Sequence, residues 1–202
     1  MRAYSLSLNN AKNDMKSLYQ TVEDRENPME IESRGPFLCK RNNAWLGEGF
    51  YFWDTFMDLA HWWGMTVYDG KYVICKSFCD ASMKDVYDLY DDFNILQEFV
   101  VLKNTLQSRL HRTEISVNEV LCFLKKNSDF SKRYKAIRAK ATGCIRNAPY
   151  VKFVSYNKAY LELMPPVQFC VLDTTFLYKK MYQIVYPVRY VSVKNESEKL
   201  LR

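Results

Sequence analysis

Only two histidines, His61 and His111, are available for acid–base work. His61 stands beside Trp62-Trp63 in an aromatic run, where an imidazole more often packs or caps than catalyses. His111, in Arg109-Leu110-His111-Arg112, reads as an exposed helix end. The chain has no Gly-x-Ser-x-Gly elbow, no P-loop and no Gly-x-Gly-x-x-Gly, so hydrolase, NTPase and Rossmann readings lose their simplest support. Six cysteines, Cys39, Cys75, Cys79, Cys122, Cys144 and Cys170, are irregularly spaced. Cys75 and Cys79 would share one face of a strand, but no second Cys or His pair completes a zinc site, so we read the thiols as reduced and expect no metal. Two stretches remain that could hold a ligand. Gly47-Glu48-Gly49-Phe50-Tyr51-Phe52-Trp53 is a glycine-punctuated turn feeding an aromatic strand, and Val167-Gln168-Phe169-Cys170-Val171 sets one amide in an apolar strand. A tyrosine ring can stack on a planar ligand, and an amide oxygen can accept from a hydroxyl. Packing alone also accounts for them: Tyr51 as a core ring, Gln168 as a buried amide bonded to backbone or an outward residue on an edge strand.

Gly47-Glu48-Gly49-Phe50-Tyr51-Phe52, followed by a helix containing alanine, resembles the Gly-x-Gly-x-Tyr-Phe segment of ADP-ribosyltransferases of the diphtheria-toxin and poly(ADP-ribose) polymerase clade. There the tyrosine is the middle member of a His-Tyr-Glu triad. The strand opened by Val167-Gln168, after Pro165-Pro166, is similar to the one that carries the catalytic glutamate, with Gln168 in its place. The first motif, a Tyr-His-Gly-Thr-like strand, falls on Tyr4-Ser5-Leu6-Ser7, with Ser5 in the place of the histidine. The order of motifs also looks like small bacterial members of the superfamily whose final strand begins with glutamine.

The resemblance implies an α+β fold, with NAD or a related nucleotide as substrate in a cleft between two small antiparallel sheets flanked by helices. It implies Tyr51 stacking on nicotinamide, Tyr4, Ser5, Gly47 and Gly49 positioning ribose and phosphates, and Gln168 orienting the nicotinamide ribose. Transfer would place one ADP-ribose on a protein or nucleic acid, or on water, as in intracellular toxins and phage-defence proteins. The transition state is oxocarbenium-like, and Gln168 brings no negative charge to it; losing one such electrostatic group costs roughly 10²–10³ in rate. Polymer elongation is not expected.

A rival reading starts from charge. The chain carries 29 Lys and Arg against 23 Asp and Glu, a net +6. Between Lys125 and Arg146 lie Lys126, Lys132, Arg133, Lys135, Arg138 and Lys140, opposed only by Asp129. Such a stretch is either a solvated helix and loop or an anionic contact face, with Lys132, Arg133, Lys135, Arg138 and Lys140 touching nucleic acid or an acidic protein. On that reading the fold is kept and catalysis lost. A purely structural protein, with Trp45, Trp53, Trp62 or Trp63 in an exposed patch, is a third reading.

These residues need elements to position them. With 202 residues, 48 % hydrophobic and 26 % charged, the chain can bury its own core. Residues 1–194 read as one domain and 195–202 as a polar tail. Apolar runs such as Phe99-Val100-Val101-Leu102 fall far short of the roughly 18 residues a membrane span needs. The start, Met1-Arg2-Ala3-Tyr4-Ser5, shows no apolar signal core, and we expect a cytoplasmic protein. The spacing predicts a strand at residues 3–6 and a helix through Leu8, Ala11, Met15, Leu18 and Tyr19. It predicts a polar loop or hairpin over 21–35, and a strand at 50–53. A helix capped by Asp54 follows, burying Phe56, Leu59, Ala60 and Trp63 and stopping at Gly64. Residues 71–79 read as a buried strand. Residues 86–100 keep helical spacing, although 85–88 equally finish a strand. Ser116-Val117-Asn118-Glu119 is a capping box opening a helix with Val117, Val120, Leu121 and Leu124 inward. Strands are expected at 150–156, 167–172 and 183–193, with a turn at Asp173-Thr174-Thr175 and Pro187 marking an edge or a bulge. Helices early and strands late favour α+β over a doubly wound sheet.

Overall fold

The computed structural model describes residues 15–41, 43–127, 129–141, 145, 149–156, 158–178 and 181–191. The expected strand at 3–6, the first turns of the expected helix and the C-terminal tail lie outside them. Within them the chain is mixed α and β, with helices laid on a multi-stranded sheet.

Where a helix is expected through Tyr19, the chain forms strand β1, Met15–Glu23. Met15, Leu18 and Tyr19 fit a helical stripe, but Leu18 and Gln20 are both buried with half-buried residues between them, so the period is two. The polar stretch after it is not a loop: Pro28–Arg34 forms α1, with Pro28 in its first turn and Ile31 as its buried residue. One apolar contact per helix is too faint to read as periodicity. Strand β2, Phe50–Asp54, follows the glycine turn as expected. Asp54 ends that strand, buried, and does not cap the next helix; α2, Met57–Val67, starts after Phe56 with no side-chain cap. The helix also runs past Gly64. This glycine is a contact position, because a Cβ there would lie 2.3 Å from the Tyr72 ring.

Strand β3, Tyr72–Asp80, lies where the apolar run predicts it. The ambiguous stretch contains both elements in turn, β4 at Val86–Asp88 and α3 at Phe93–Leu110, with the Asp92 side chain accepting from the N–H groups of Asn94 and Ile95. His111 ends α3 as its left-handed C-cap, an exposed helix end as expected. The capping box forms as drawn: Glu119 accepts from the Ser116 N–H at 2.8 Å, and the Ser116 hydroxyl accepts from the Glu119 N–H at 3.3 Å. It opens α4, Val117–Asn127, which buries Val120 and Leu121. The short α5, Phe130–Arg133, follows.

The main departure comes next. Ala136–Lys140, in the middle of the basic stretch, is strand β5, four of whose five residues are buried. Residues 150–156 shorten to β6, Tyr150–Lys152, paired in a separate ribbon with β7, Tyr160–Glu162. Strand β8, Val167–Val171, is buried throughout. The Asp173 turn is a single 3₁₀ turn, Thr174–Phe176, capped by the Asp173 side chain. Strand β9, Gln183–Tyr186, ends before Pro187 and lies at the sheet edge.

Seven strands run in the order β4-β5-β8-β2-β1-β3-β9, all neighbours antiparallel except β4 and β5. In place of the two separate small antiparallel sheets expected, the main strands form one seven-stranded sheet whose narrowest pairing is β1 with β2. Strands β1 and β2 pair only at Leu18↔Asp54 and Tyr19↔Trp53, whereas β1 and β3 stay in register from Met15↔Asp80 to Glu23↔Tyr72. On one face, α2 packs Leu59 and Ala60 against Trp53, Tyr72 and Ile74, and α3, α4 and α5 pack against Tyr87, Ile137 and Cys170. On the other, Leu18, Phe52, Phe169 and Val171 form a dry cluster closed by Leu177.

Candidate functional site

The glycines of the aromatic motif are explained by packing. Gly47 has φ +84°, and a Cβ on it would lie 2.9 Å from the Lys125 Nζ. A Cβ on Gly49 would lie 2.4 Å from the Cys170 Sγ and 2.9 Å from the Val171 carbonyl, so only glycine lets β2 start flush against β8. The turn between Ala44 and Gly47 is tied down on all sides. The Tyr51 hydroxyl accepts from the Leu46 N–H and donates to the Gly47 carbonyl, both at 2.9 Å. Lys125 donates to the Leu46 carbonyl at 3.0 Å and Asn118 to the Ala44 carbonyl at 2.9 Å. Burial, reinforced by the neighbouring Cys170, pushes the Tyr51 phenol above its ordinary range, so it stays protonated. The Cys170 thiol is pushed up to about 11, burial outweighing Lys125 and Tyr51, and is no nucleophile near neutral pH.

What this turn presents is Trp45. Its indole N–H donates to the Gln168 Oε1 at 2.9 Å. Gln168 sits on β8 opposite Trp53 of β2 and Ala139 of β5, and its residue is only 6 % exposed. Tyr51 pairs with Cys170, two residues further along β8, so Tyr51 and Gln168 are diagonal neighbours across two strands.

Beside them, where β1 leaves β2, opens a cavity of about 290 Å³ lined on one side by residues 37–41 and 43–45. Its walls are rings, Trp45, Tyr51, Trp53, Trp63 and Tyr68, with Gln20, Thr21 and Gln168 as polar wall groups. Lys40 and Arg41, both exposed, stand among its lining residues; Lys40 pairs with Glu48 at 3.7 Å, and Arg41 has no ion-pair partner among the described residues. No described lining residue is a carboxylate or a histidine. The volume is at the small end for ligand sites, which run from roughly 300 Å³.

Gln20, which the sequence reading missed, spans the mouth of the β1–β2 joint. Its Nε2 donates to the carbonyls of Phe37 at 2.9 Å and Tyr51 at 3.3 Å. Its Oε1 accepts from the Phe37 N–H at 2.8 Å and the Tyr182 hydroxyl at 2.7 Å. The amide is thereby saturated and holds the lining segment at Phe37 in place. Trp45 was likewise missed as a site residue, although it stands two positions before Gly47. The alternation of Leu18 and Gln20, once read as a strand, is the signal that would have found the other.

Of the expected site residues, Tyr51 and Gln168 line this cavity, while Gly47 and Gly49 form the adjoining turn and line a separate pocket beside Cys122 and Lys125. Tyr4 and Ser5 lie outside the described residues. The expected basic face does not form as one surface. Arg138 points inward, 7 % exposed, and donates to Asp54 at 2.9 Å, Asp88 at 2.8 Å and Asp91 at 2.5 Å, with the Tyr90 ring 4.9 Å away. Lys16 adds a second cation on Asp54 at 3.0 Å. A strand alternates its faces, so a cation in the middle of β5 must turn to the interior or the helices, and this one is met by three carboxylates. Lys132 pairs with Asp129 at 2.7 Å, Lys135 with Asp85 at 2.9 Å and Lys140 with Glu162, while Arg133 lies over the Tyr134 ring. His61 bonds the Tyr72 hydroxyl at 2.8 Å and packs on Tyr186, a structural role. Cys75, Cys79 and Cys170 are buried free thiols, and Cys39 and Cys122 are half-buried and free. Among the described residues no cluster of three or more His, Cys, Asp or Glu could hold a metal ion, and no helix is long and apolar enough to cross a membrane.

No protein-family model, curated protein or solved structure matches the chain.

Proposed function

We propose that this chain is an ADP-ribosyltransferase-like protein that binds NAD or a related nucleotide in the cavity at the β1–β2 joint. The observation that carries the reading is the convergence of two distant motifs. Tyr51, behind its Gly47 and Gly49 turn, and Gln168, 117 positions away by their numbers, border one ring-lined cavity with a basic rim. The rings of Tyr51, Trp53 and Trp63 supply stacking surface for nicotinamide, and Arg41 and Lys40 supply charge for the phosphates.

Tyr4 and Ser5, where the resemblance puts the first motif, lie outside the described residues, and the described strand beside β2 is β1. Gln168, being uncharged, does not offer the family's glutamate. Turnover would break the bond between the nicotinamide nitrogen and ribose C1′, nicotinamide leaving with the bonding pair. An acceptor oxygen or nitrogen from a protein, a nucleic acid or water would then bond C1′ and shed its proton. Gln168 leaves the cationic transition state without a counter-charge, so binding outlasts fast chemistry in this site.

The test is calorimetric titration with NAD⁺ followed by nicotinamide release in the same samples, on wild type and Gln168→Glu. The expected result is saturable binding by both, with release raised about 10²-fold in the variant. Absence of NAD⁺ binding by the folded wild-type chain overturns the reading.

A further inference from the structure

We infer that Trp45 is a positioning residue that sets the polarity of this cavity, so that it selects nucleotides presenting a hydrogen-bond acceptor inward and negative charge outward. The inference rests on the nucleotide-site reading and adds the chemistry of what the site accepts.

An indole N–H only donates, so the amide atom 2.9 Å from the Trp45 Nε1 is the oxygen of Gln168. With Oε1 engaged, what Gln168 can still offer is its Nε2, and no hydrogen bond from that atom is found among the described residues. The amide could not turn over without setting its NH₂ against the indole N–H. Three of the nearby polar groups are committed elsewhere, while the Asn43 amide and the Tyr68 hydroxyl also line the cavity. Gln20 is committed to Phe37, Tyr51 and Tyr182. The Tyr51 hydroxyl is committed to Leu46 and Gly47, and the Thr21 hydroxyl donates to the Ala60 carbonyl at 2.8 Å. The rim adds Arg41 and Lys40, the latter paired with Glu48 at 3.7 Å, and no described lining residue is a carboxylate. At Gln168 the wall therefore offers an N–H, with Arg41 as the positive charge at the rim. A carbonyl on the bound ring meets Gln168 well. A ring amine there leaves two donors facing each other, with one buried hydrogen bond lost. The carboxamide of NAD can rotate its carbonyl toward the same group.

Uridine diphosphate and cytidine diphosphate are suitable probes, since at C4 the first presents a carbonyl oxygen and the second an amine, with N3 a donor in the first and an acceptor in the second. One unsatisfied donor at roughly 1–3 kcal/mol corresponds to a preference of about five- to 150-fold for the uridine compound. Trp45→Phe keeps the ring and removes the N–H, and brings the ratio towards one. Gln168→Glu, whose carboxylate only accepts, reverses it. A ligand-free readout accompanies these: the Trp45 indole proton resonance moves upfield in Gln168→Ala. A merely structural Trp45 would weaken both probes equally in Trp45→Phe and leave their ratio unchanged. That result, a wild-type ratio within about twofold, or an indole signal unmoved in Gln168→Ala each overturns the inference. NAD⁺ binding without any uridine preference overturns it and leaves the proposed function standing. Uridine preference without NAD⁺ binding supports it and removes NAD as the ligand. A chain that binds none of the three overturns both.

Discussion

Two buried polar centres lie on this sheet, and they have been finished in opposite ways. Around Arg138 every charge is answered: Asp54, Asp88 and Asp91 take the guanidinium, and Lys16 takes the remaining side of Asp54. Around Gln168 one side-chain bond is found among the described residues, to Trp45, and the residue lines a cavity whose described lining carries no carboxylate. Interior polar groups are normally satisfied, because each orphaned one costs about 1–3 kcal/mol. A closed network therefore reads as scaffold, and an incomplete one beside a cavity reads as a place for something else to bind. The proposed function places the ligand at the charge-poor centre for the same reason.

The largest effect should come from opening the closed centre. Arg138→Met leaves buried Asp54 and Asp88 with too little positive charge, and should lower unfolding stability by about 3–5 kcal/mol in denaturant titrations. A loss within about 1 kcal/mol would show that the cluster is hydrated and not a scaffold element. Gly49→Ala forces a Cβ against the Cys170 Sγ and the Val171 carbonyl. It should cost about 1–3 kcal/mol and reduce NAD⁺ affinity, since it shifts β2 against β8. Tyr51→Phe removes the hydroxyl that holds the Leu46 N–H and the Gly47 carbonyl. It should cost roughly 1–3 kcal/mol in the same titration, with weakened nucleotide binding as the Trp45 turn loosens. Equal binding by this variant would separate the turn from the site.

The smallest effect is a pH dependence far from both centres. The Glu119 carboxyl is held down from its ordinary 4.5 to about 2, by the Ser116 N–H first and then by Arg112. Its folded pKa is depressed, so its contribution is complete above about pH 4.5 and is lost as pH falls towards about 2. Glu119→Gln should flatten the melting temperature against pH within that window only. A change above it would contradict the assignment.

How much of this is legible in the sequence differs between the same two regions. The glycine-aromatic turn was readable because close backbone approach demands glycine at fixed spacing, and that constraint is local. The capping box at Ser116 and Glu119 and the strands at 72–80 and 167–171 were readable for the same reason. Strand β5 was not, because Lys135, Arg138 and Lys140 look like solvent residues until Asp54, Asp88 and Asp91 are brought to Arg138 by folding. Gln20 was hidden by an accident of period: Met15, Leu18 and Tyr19 satisfy helical spacing as well as Leu18 and Gln20 satisfy a strand. The Trp45–Gln168 hydrogen bond joins residues 123 positions apart, and nothing local in either segment foretells it.

The most direct measurement of whether the incomplete centre is the binding site is the set of tryptophan indole resonances during an NAD⁺ titration of the wild-type protein. Trp45, Trp53 and Trp63 line the cavity, and their signals should move together and saturate, while the Arg138 side-chain resonance stays in place. Saturable shifts that spare all three indoles, or no shifts at all in a folded sample, would contradict the assignment of the cavity as a nucleotide site.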